Sequence, residues 1–412
     1  MNVCEKDVKE YVERFLNTIY NEKIYIDIQD DYYVVNREKR YKIYDFWNKK
    51  DEELLYDFNK HSFKADYIGT IFFFLSGYWE YTHNDIKDNY KRFSGKESFG
   101  FKKGILEEPV VDILVNGISR ELNICNKESF RKPKILLTHD IDQLGMLQYF
   151  KLIKSIGGDI LKRKDFKMVI DKIIKKITNK DPYSVSHLIA IHKKYNTKGT
   201  FFFMPDIQLK KTVGGYKPLK EKQSLKKMKD EILNSGSSIG IHYDARHLQE
   251  DRMEKDITVL EEVFEQKIES GRAHFLIFDI SKSFDLYEKS GIKVDTTGSY
   301  ADIVGFRFGT SYPYRPFNFR EKREYNLIEI PLLVMDATLQ GKRFMNLSPE
   351  EGFEKVKKIM DRIKLYNGVF TILWHNTSFY TSEWKDWEWV YEKILKYGYE
   401  KGFDFINSNE IT

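Results

Sequence analysis

Ile135-Leu136-Leu137-Thr138-His139-Asp140-Ile141-Asp142 is a short apolar run that ends in two carboxylates one residue apart. An apolar run of this length, with polar residues only at its end, reads as a strand buried on both faces. The same pattern returns along the chain in Gly199-Thr200-Phe201-Phe202-Phe203, in Ser238-Ile239-Gly240-Ile241, and in His274-Phe275-Leu276-Ile277-Phe278. It returns again in Leu327-Ile328-Glu329-Ile330 and in Val369-Phe370-Thr371-Ile372-Leu373-Trp374. Helical segments separate these runs. Ser348-Pro349-Glu350-Glu351 carries a capping serine, a first-turn proline and a capping-box glutamate ahead of Phe353, Val356, Ile359, Met360 and Ile363. Continuously apolar strands alternating with helices predict an α/β domain with a parallel sheet or barrel.

Upstream, the chain has a different character. Ile24-Tyr25-Ile26-Asp27-Ile28 and Asp31-Tyr32-Tyr33-Val34-Val35 read as short strands among helix-like stretches, and no catalytic constellation accompanies them. The polar, basic stretch Asn126-Lys127-Glu128-Ser129-Phe130-Arg131-Lys132-Pro133 suits a linker. The expected domains are therefore an α+β accessory domain over 1–131, structural or substrate-gating, and a barrel over 132–412.

With 412 residues, 41% of them hydrophobic, the chain can bury a large core and a smaller second one. Its net charge of +5 is too small over this length to argue for nucleic acid. Cys4 and Cys125 give no disulfide framework, and the amino terminus carries acids without an apolar core, so a reducing, cytoplasmic location is expected. The longest apolar run, Ile71 to Leu75, is far below the roughly 20 residues of a membrane helix. Between Lys151 and Lys180, ten Lys or Arg face three Asp, and Phe166, Val169, Ile170, Ile173, Ile174 and Ile177 share one helix face. A solvated basic face is the simpler reading, and peripheral contact with an acidic or phosphate-bearing lipid surface is the sharper one.

Polar residues collect where the strands end: Asp140 and Asp142 after the first, His242 after the third, His375 after the last. Barrels of parallel strands build their sites on that face. An Asp-x-Asp pair there can put one carboxylate on a metal and the other beside the metal's water, although such pairs also cap turns. A lone His242 could equally be a hydrogen-bonded core residue.

On these residues the chain resembles the polysaccharide deacetylases of carbohydrate esterase family 4, over roughly residues 134–410. Thr138-His139-Asp140-Ile141-Asp142 is similar to the family's first motif, which implies Asp140 as general base and Asp142 as metal ligand. Lys198-Gly199-Thr200-Phe201-Phe202 is similar to its Ala-Thr-Phe-Phe strand. Gly240-Ile241-His242 through His247 resembles the His-x-x-x-His motif, which implies His242 and His247 as ligands. In this chain His247 lies five positions on and Arg246 occupies the family's ligand place, so His139, Asp244, Asp336 or water are substitutes for the third position. Gly271-Arg272-Ala273-His274 resembles the motif whose arginine orients the base, and the region around Asp295 resembles the strand whose aspartate supports the catalytic histidine. Leu373-Trp374-His375 is similar to the last motif and implies His375 as general acid.

Gly305-Phe306-Arg307-Phe308-Gly309 and Glu329 through Asp336 resemble segments of a subgroup with an extra N-terminal domain, to which Asp66 through Leu75 is also similar. Arg307, Tyr243 and Trp374 are the expected substrate-binding side chains, either at the site mouth or packed inside. The resemblance implies a (β/α)7-type barrel and hydrolysis of an N-acetyl group, a linear amide, on a carbohydrate; the short apolar runs lead to the expectation of no transmembrane segment. It also implies a divalent metal, zinc first and cobalt, nickel or manganese as substitutes. An amidase on a small non-sugar amide and an idle carbohydrate-binding barrel are the alternatives.

Overall fold

The computed structural model describes residues 3–45, 56–57, 62–63, 66–145, 149–178, 180–205, 215–244 and 250–411. They form an α/β protein with a curled, parallel, barrel-type sheet and an N-terminal α+β region. The chain packs as two compact units, one of residues 1–134, 276–333 and 359–370, the other of residues 135–275, 334–358 and 371–412.

In the first unit, helix α1 (Glu5–Ile19) buries Val8, Tyr11, Val12, Phe15, Leu16 and Ile19, an apolar stripe at helical spacing. An antiparallel meander follows, β1 (Ile26–Gln29), β2 (Tyr32–Val35) and β3 (Lys39–Lys42), close to the two strands expected there. The apolar run at Ile71 lies in α2 (Tyr67–Leu75), where the Asp66 carboxylate caps the first turn by accepting from Gly69 N at 2.7 Å. Helix α3 (Val110–Leu122) carries a buried Asp112, which accepts from the Thr310 hydroxyl at 2.5 Å and from Ser311 N at 3.1 Å. The Tyr11 hydroxyl donates to Arg315 O at 2.9 Å. Such bonds are why residues 276–333 group with the N-terminal segment.

The second unit opens with β4 (Lys134–Ile141), the strand predicted at Ile135. After α4 (Phe166–Ile177) and α5 (Val185–Tyr195) come β5 (Thr200–Phe203), α6 (Lys222–Asn234), β6 (Ser238–Tyr243), α7 (Glu250–Phe264) and β7 (Ser270–Ala273). Farther on lie β8 (Val334–Met335) and β9 (Val369–Leu373), separated by α8 (Pro349–Tyr366). Glu351 returns its carboxylate to Ser348 N at 2.8 Å, which is the predicted capping box. The strands are hydrogen-bonded in the order β8-β9-β4-β5-β6-β7.

Both faces of β5 and β6 are buried, so their apolar runs are continuous rather than alternating. Gly240 is required in β6, because a Cβ there would lie 2.6 Å from the Phe202 ring and 2.6 Å from Ser270 O. The amino-terminal ends of the strands are tied by hydroxyls: Thr200 meets Ser238 at 2.9 Å, and Ser408 lies 3.1 Å from Ser238.

One strand differs from expectation. The predicted His274–Phe278 strand is displaced towards the N terminus, to Ser270–Ala273. Phe275 and Leu276 have φ of +58° and +52°, left-handed conformations that cannot continue a ladder. His274 consequently leaves the sheet at the strand end.

Candidate metal and catalytic site

Strand alternation decides which end-of-strand residues meet. On β4, Thr138 and Asp140 share one face with Arg272 of β7, whose Nη1 donates to Thr138 Oγ1 at 2.7 Å and reaches Asp140 Oδ1 at 3.4 Å. Arg272 is fully buried with its guanidinium 5.0 Å from the Phe202 ring centre, so it is held by an aromatic floor as well as by oxygen acceptors. His242 occupies the register position beside Arg272 and hydrogen-bonds Arg272 O through Nδ1 at 3.1 Å. That bond aims Nε2 at the carboxylates, 3.5 Å from Asp140 Oδ2 and 3.6 Å from Asp142 Oδ1.

Two residues after Arg272, just past the end of β7, His274 completes a cluster. Donor atoms of Asp142, His242 and His274 all lie within 4.8 Å of one another. Asp142 Oδ1, His242 Nε2 and His274 Nδ1 are each buried and have no hydrogen-bond partner. Buried polar atoms are nearly always satisfied, so an unpartnered atom on each of three residues whose donor atoms cluster within 4.8 Å suits a shared cation. Two ligands about 2.1 Å from a tetrahedral ion stand roughly 3.4 Å apart, close to the 3.6 Å between His242 Nε2 and Asp142 Oδ1, and the mixed carboxylate and imidazole set suits zinc. The residues present therefore fit a divalent cation. The left-handed turn at Phe275, which sets His274 in place, is the kind of backbone strain that accompanies functional positions.

Burial pushes Asp142 up to about 7 and also raises Asp140, against which the Arg272 charge works. Burial drives His242 well below its usual range and His274 to about 2, leaving both rings neutral, the form that ligates metals. His375 behaves oppositely. Burial would lower it, but the Asp336 carboxylate beside Nδ1 raises it to about 10. Asp336 in turn is held below the usual carboxylate range despite its burial, because His375 bonds it twice. His375 Nε2 is then directed at Asp140 Oδ2, 4.0 Å away.

Other expected site residues fall elsewhere. His139, one residue from Asp140, points to the opposite face, where Nδ1 meets Trp374 O at 2.8 Å and Nε2 meets His192 at 3.1 Å. It is not a ligand. The support role expected of Asp295 is filled by Asp336, since Asp295 accepts from Thr297 N and Oγ1, both at 2.9 Å. Asp336 is thereby removed from the substitute ligands, while Asp244 acts on His242 and His274 through its charge.

Arg307 is not available to a carboxylate or phosphate. It is buried in the first unit, paired with Glu80 through Nε at 3.0 Å, donating to Ser299 O at 2.6 Å and lying over Phe278 and Tyr300. Trp374 has no exposed surface and packs against Trp387 and Tyr391, so it fills the core rather than offering a face to a sugar. Tyr243 is likewise buried, its ring lying where a Cβ on Gly271 would be. Arg246 and His247 lie outside the described residues. His274 is the site residue that sequence reasoning passed over, and its signal was a metal-ligating side chain two residues after Arg272 at a strand end.

Residues 6–126 match the model of a family of unknown function, DUF7033. No curated protein matches the chain. Among solved structures, an allantoinase is similar at 11% identity over 69% of this chain and 90% of that chain, with a TM-score of 0.46. A probable polysaccharide deacetylase from Pseudomonas aeruginosa PAO1 is similar at 12% identity over 68% and 89%, with a TM-score of 0.43. A peptidoglycan N-acetylglucosamine deacetylase is similar at 14% identity over 68% and 89%, with a TM-score of 0.34. Among the described residues no helix is long and apolar enough to cross a membrane.

Proposed function

We propose that this protein is a metal-dependent hydrolase that removes an N-acetyl group from a sugar or polysaccharide precursor. The observation that carries the reading is the clustering of Asp142, His242 and His274, each with an unpartnered buried atom, beside an arginine-held Asp140 and an aspartate-held His375.

Asp142, His242 and His274 would hold the cation, zinc before cobalt, nickel or manganese. When bound, it supplies Lewis acidity towards the acetyl carbonyl and lowers the pKa of water. Asp140, its Oδ1 turned to Arg272, keeps Oδ2 free to take a proton from the attacking water. His375, protonated through Asp336, gives a proton to the departing amine from Nε2. Water thus adds across the amide, the carbon–nitrogen bond breaks, and acetate and a free amine result. Residues 1–131 act as an accessory domain to this barrel.

The test is acetate release from N-acetylated mono- and oligosaccharides by the chelated protein and by the same protein reloaded with zinc. Release that depends on reloading supports the reading. A fully loaded protein that frees no acetate sinks it, and hydrolysis of small cyclic amides instead selects the amidase alternative.

A further inference from the structure

Helix α4 is built the reverse of an ordinary surface helix. Its buried residue is Lys172, whose ammonium donates to Ser155 Oγ at 2.6 Å and pairs with the buried Asp159 carboxylate, which Arg163 also engages at 2.6 Å. Its apolar stripe faces outward: Phe166, Ile170, Ile173, Ile174 and Ile177 are all exposed, Ile177 at 78%, and Leu161 just before the helix is 81% exposed. Of the eighteen exposed large apolar side chains among the described residues, eight fall between Ile153 and Ile177. Isolated exposed aliphatics mean little, but a contiguous set marks an interaction surface.

The charge around the stripe identifies what covers it. Ten Lys or Arg lie between Lys151 and Lys180 against three Asp. Those three are committed: Asp159 to Lys172 and Arg163, Asp165 to capping the helix at Met168 N, and Asp171 to the Tyr380 hydroxyl. A second copy docking face to face would set cations against cations. An anionic bilayer surface satisfies both features, with acyl chains receiving the stripe and phosphates meeting the lysines. At about 1.5 Å per residue the helix is roughly 18 Å long, suited to lying in the interface and too short to span it.

We propose that Leu161 and the outer face of α4 seat this protein on anionic lipid. The proposal is independent of the chemistry assigned to the metal centre. The full chain should sediment with phosphatidylglycerol vesicles and far less with phosphatidylcholine vesicles, and added salt should weaken the association. The double variant Ile170→Glu and Ile174→Glu, with unchanged circular dichroism and melting, should bind at least about tenfold more weakly. A second variant, Lys162→Glu with Lys164→Glu and Lys167→Glu, should lose the preference for anionic lipid. Equal binding to both vesicle types, full binding by the double variant, or a dimer in lipid-free solution that the double variant dissociates would each overturn it.

Discussion

Asp336 holds His375 at two points, one carboxylate oxygen 2.7 Å from the ring Nδ1 and the other accepting the His375 backbone N–H at 2.8 Å. The pair fixes the tautomer, the orientation and the charge of the ring together. Asp336→Asn should therefore lower kcat by about 10²–10⁴-fold, the usual worth of general acid catalysis, with little change in KM. Metal content should be unaltered, and a fall in metal content of the variant would contradict a purely orienting role.

Metal uptake and turnover should separate along the line between ligands and proton carriers. His274→Ala and Asp142→Ala should each weaken zinc binding beyond the roughly 10–100-fold typical of losing an outer-shell partner. Asp140→Asn and His375→Ala should retain zinc while losing turnover. Elemental analysis beside acetate assays distinguishes the sets, and undiminished zinc in His274→Ala would remove that residue from the centre.

Chelation should also lower the melting temperature. A ligand that binds only the folded chain at 100 times its Kd stabilises by about 2.7 kcal/mol. Calorimetry with and without chelator reads the effect, and identical melting curves would argue that the three orphaned atoms hold no ion.

Asp112 supplies a pH signature away from the catalytic groups. Burial raises its carboxyl from the ordinary carboxylate range to about 7. The folded state therefore holds a proton that the unfolded state releases, so this contribution is complete below about pH 4 and lost as pH rises through 7. Asp112→Asn should flatten the decline in melting temperature between pH 4 and 7, and an unchanged slope would show that the carboxyl is ionised throughout.

The Glu80–Arg307 pair should behave as a buried ion pair does. Glu80→Ala leaves an uncompensated guanidinium and should cost about 3–5 kcal/mol in chemical denaturation. Adding Arg307→Met should recover a large part of that loss through non-additivity.

The strand-end logic made Asp140, Asp142, His242 and His375 legible, because an apolar run followed by a polar residue fixes both strand and site face without tertiary information. His274 is hidden by its apolar neighbours: Phe275-Leu276-Ile277 reads as a strand that it opens, whereas the two left-handed residues place it just past the end of one. The choice between Asp295 and Asp336 depended on which strand end faces His375, a matter of tertiary packing. Arg307 and Trp374 were misread for a related reason. A sequence does not display exposure, and Glu80, which occupies Arg307, lies 227 residues away.

The interleaving of the two units bears on how the protein is made. Residues 371–412 belong to the same unit as residues 135–275, with both later segments of the first unit, 276–333 and 359–370, emerging between them. On the ribosome, Asp140 and His242 are made long before His375, and the second unit cannot close until residues 371–412 have been synthesised. Its late, sequence-distant pairings imply slow maturation and a nascent state with unsatisfied strand edges, the kind of intermediate that chaperones retain.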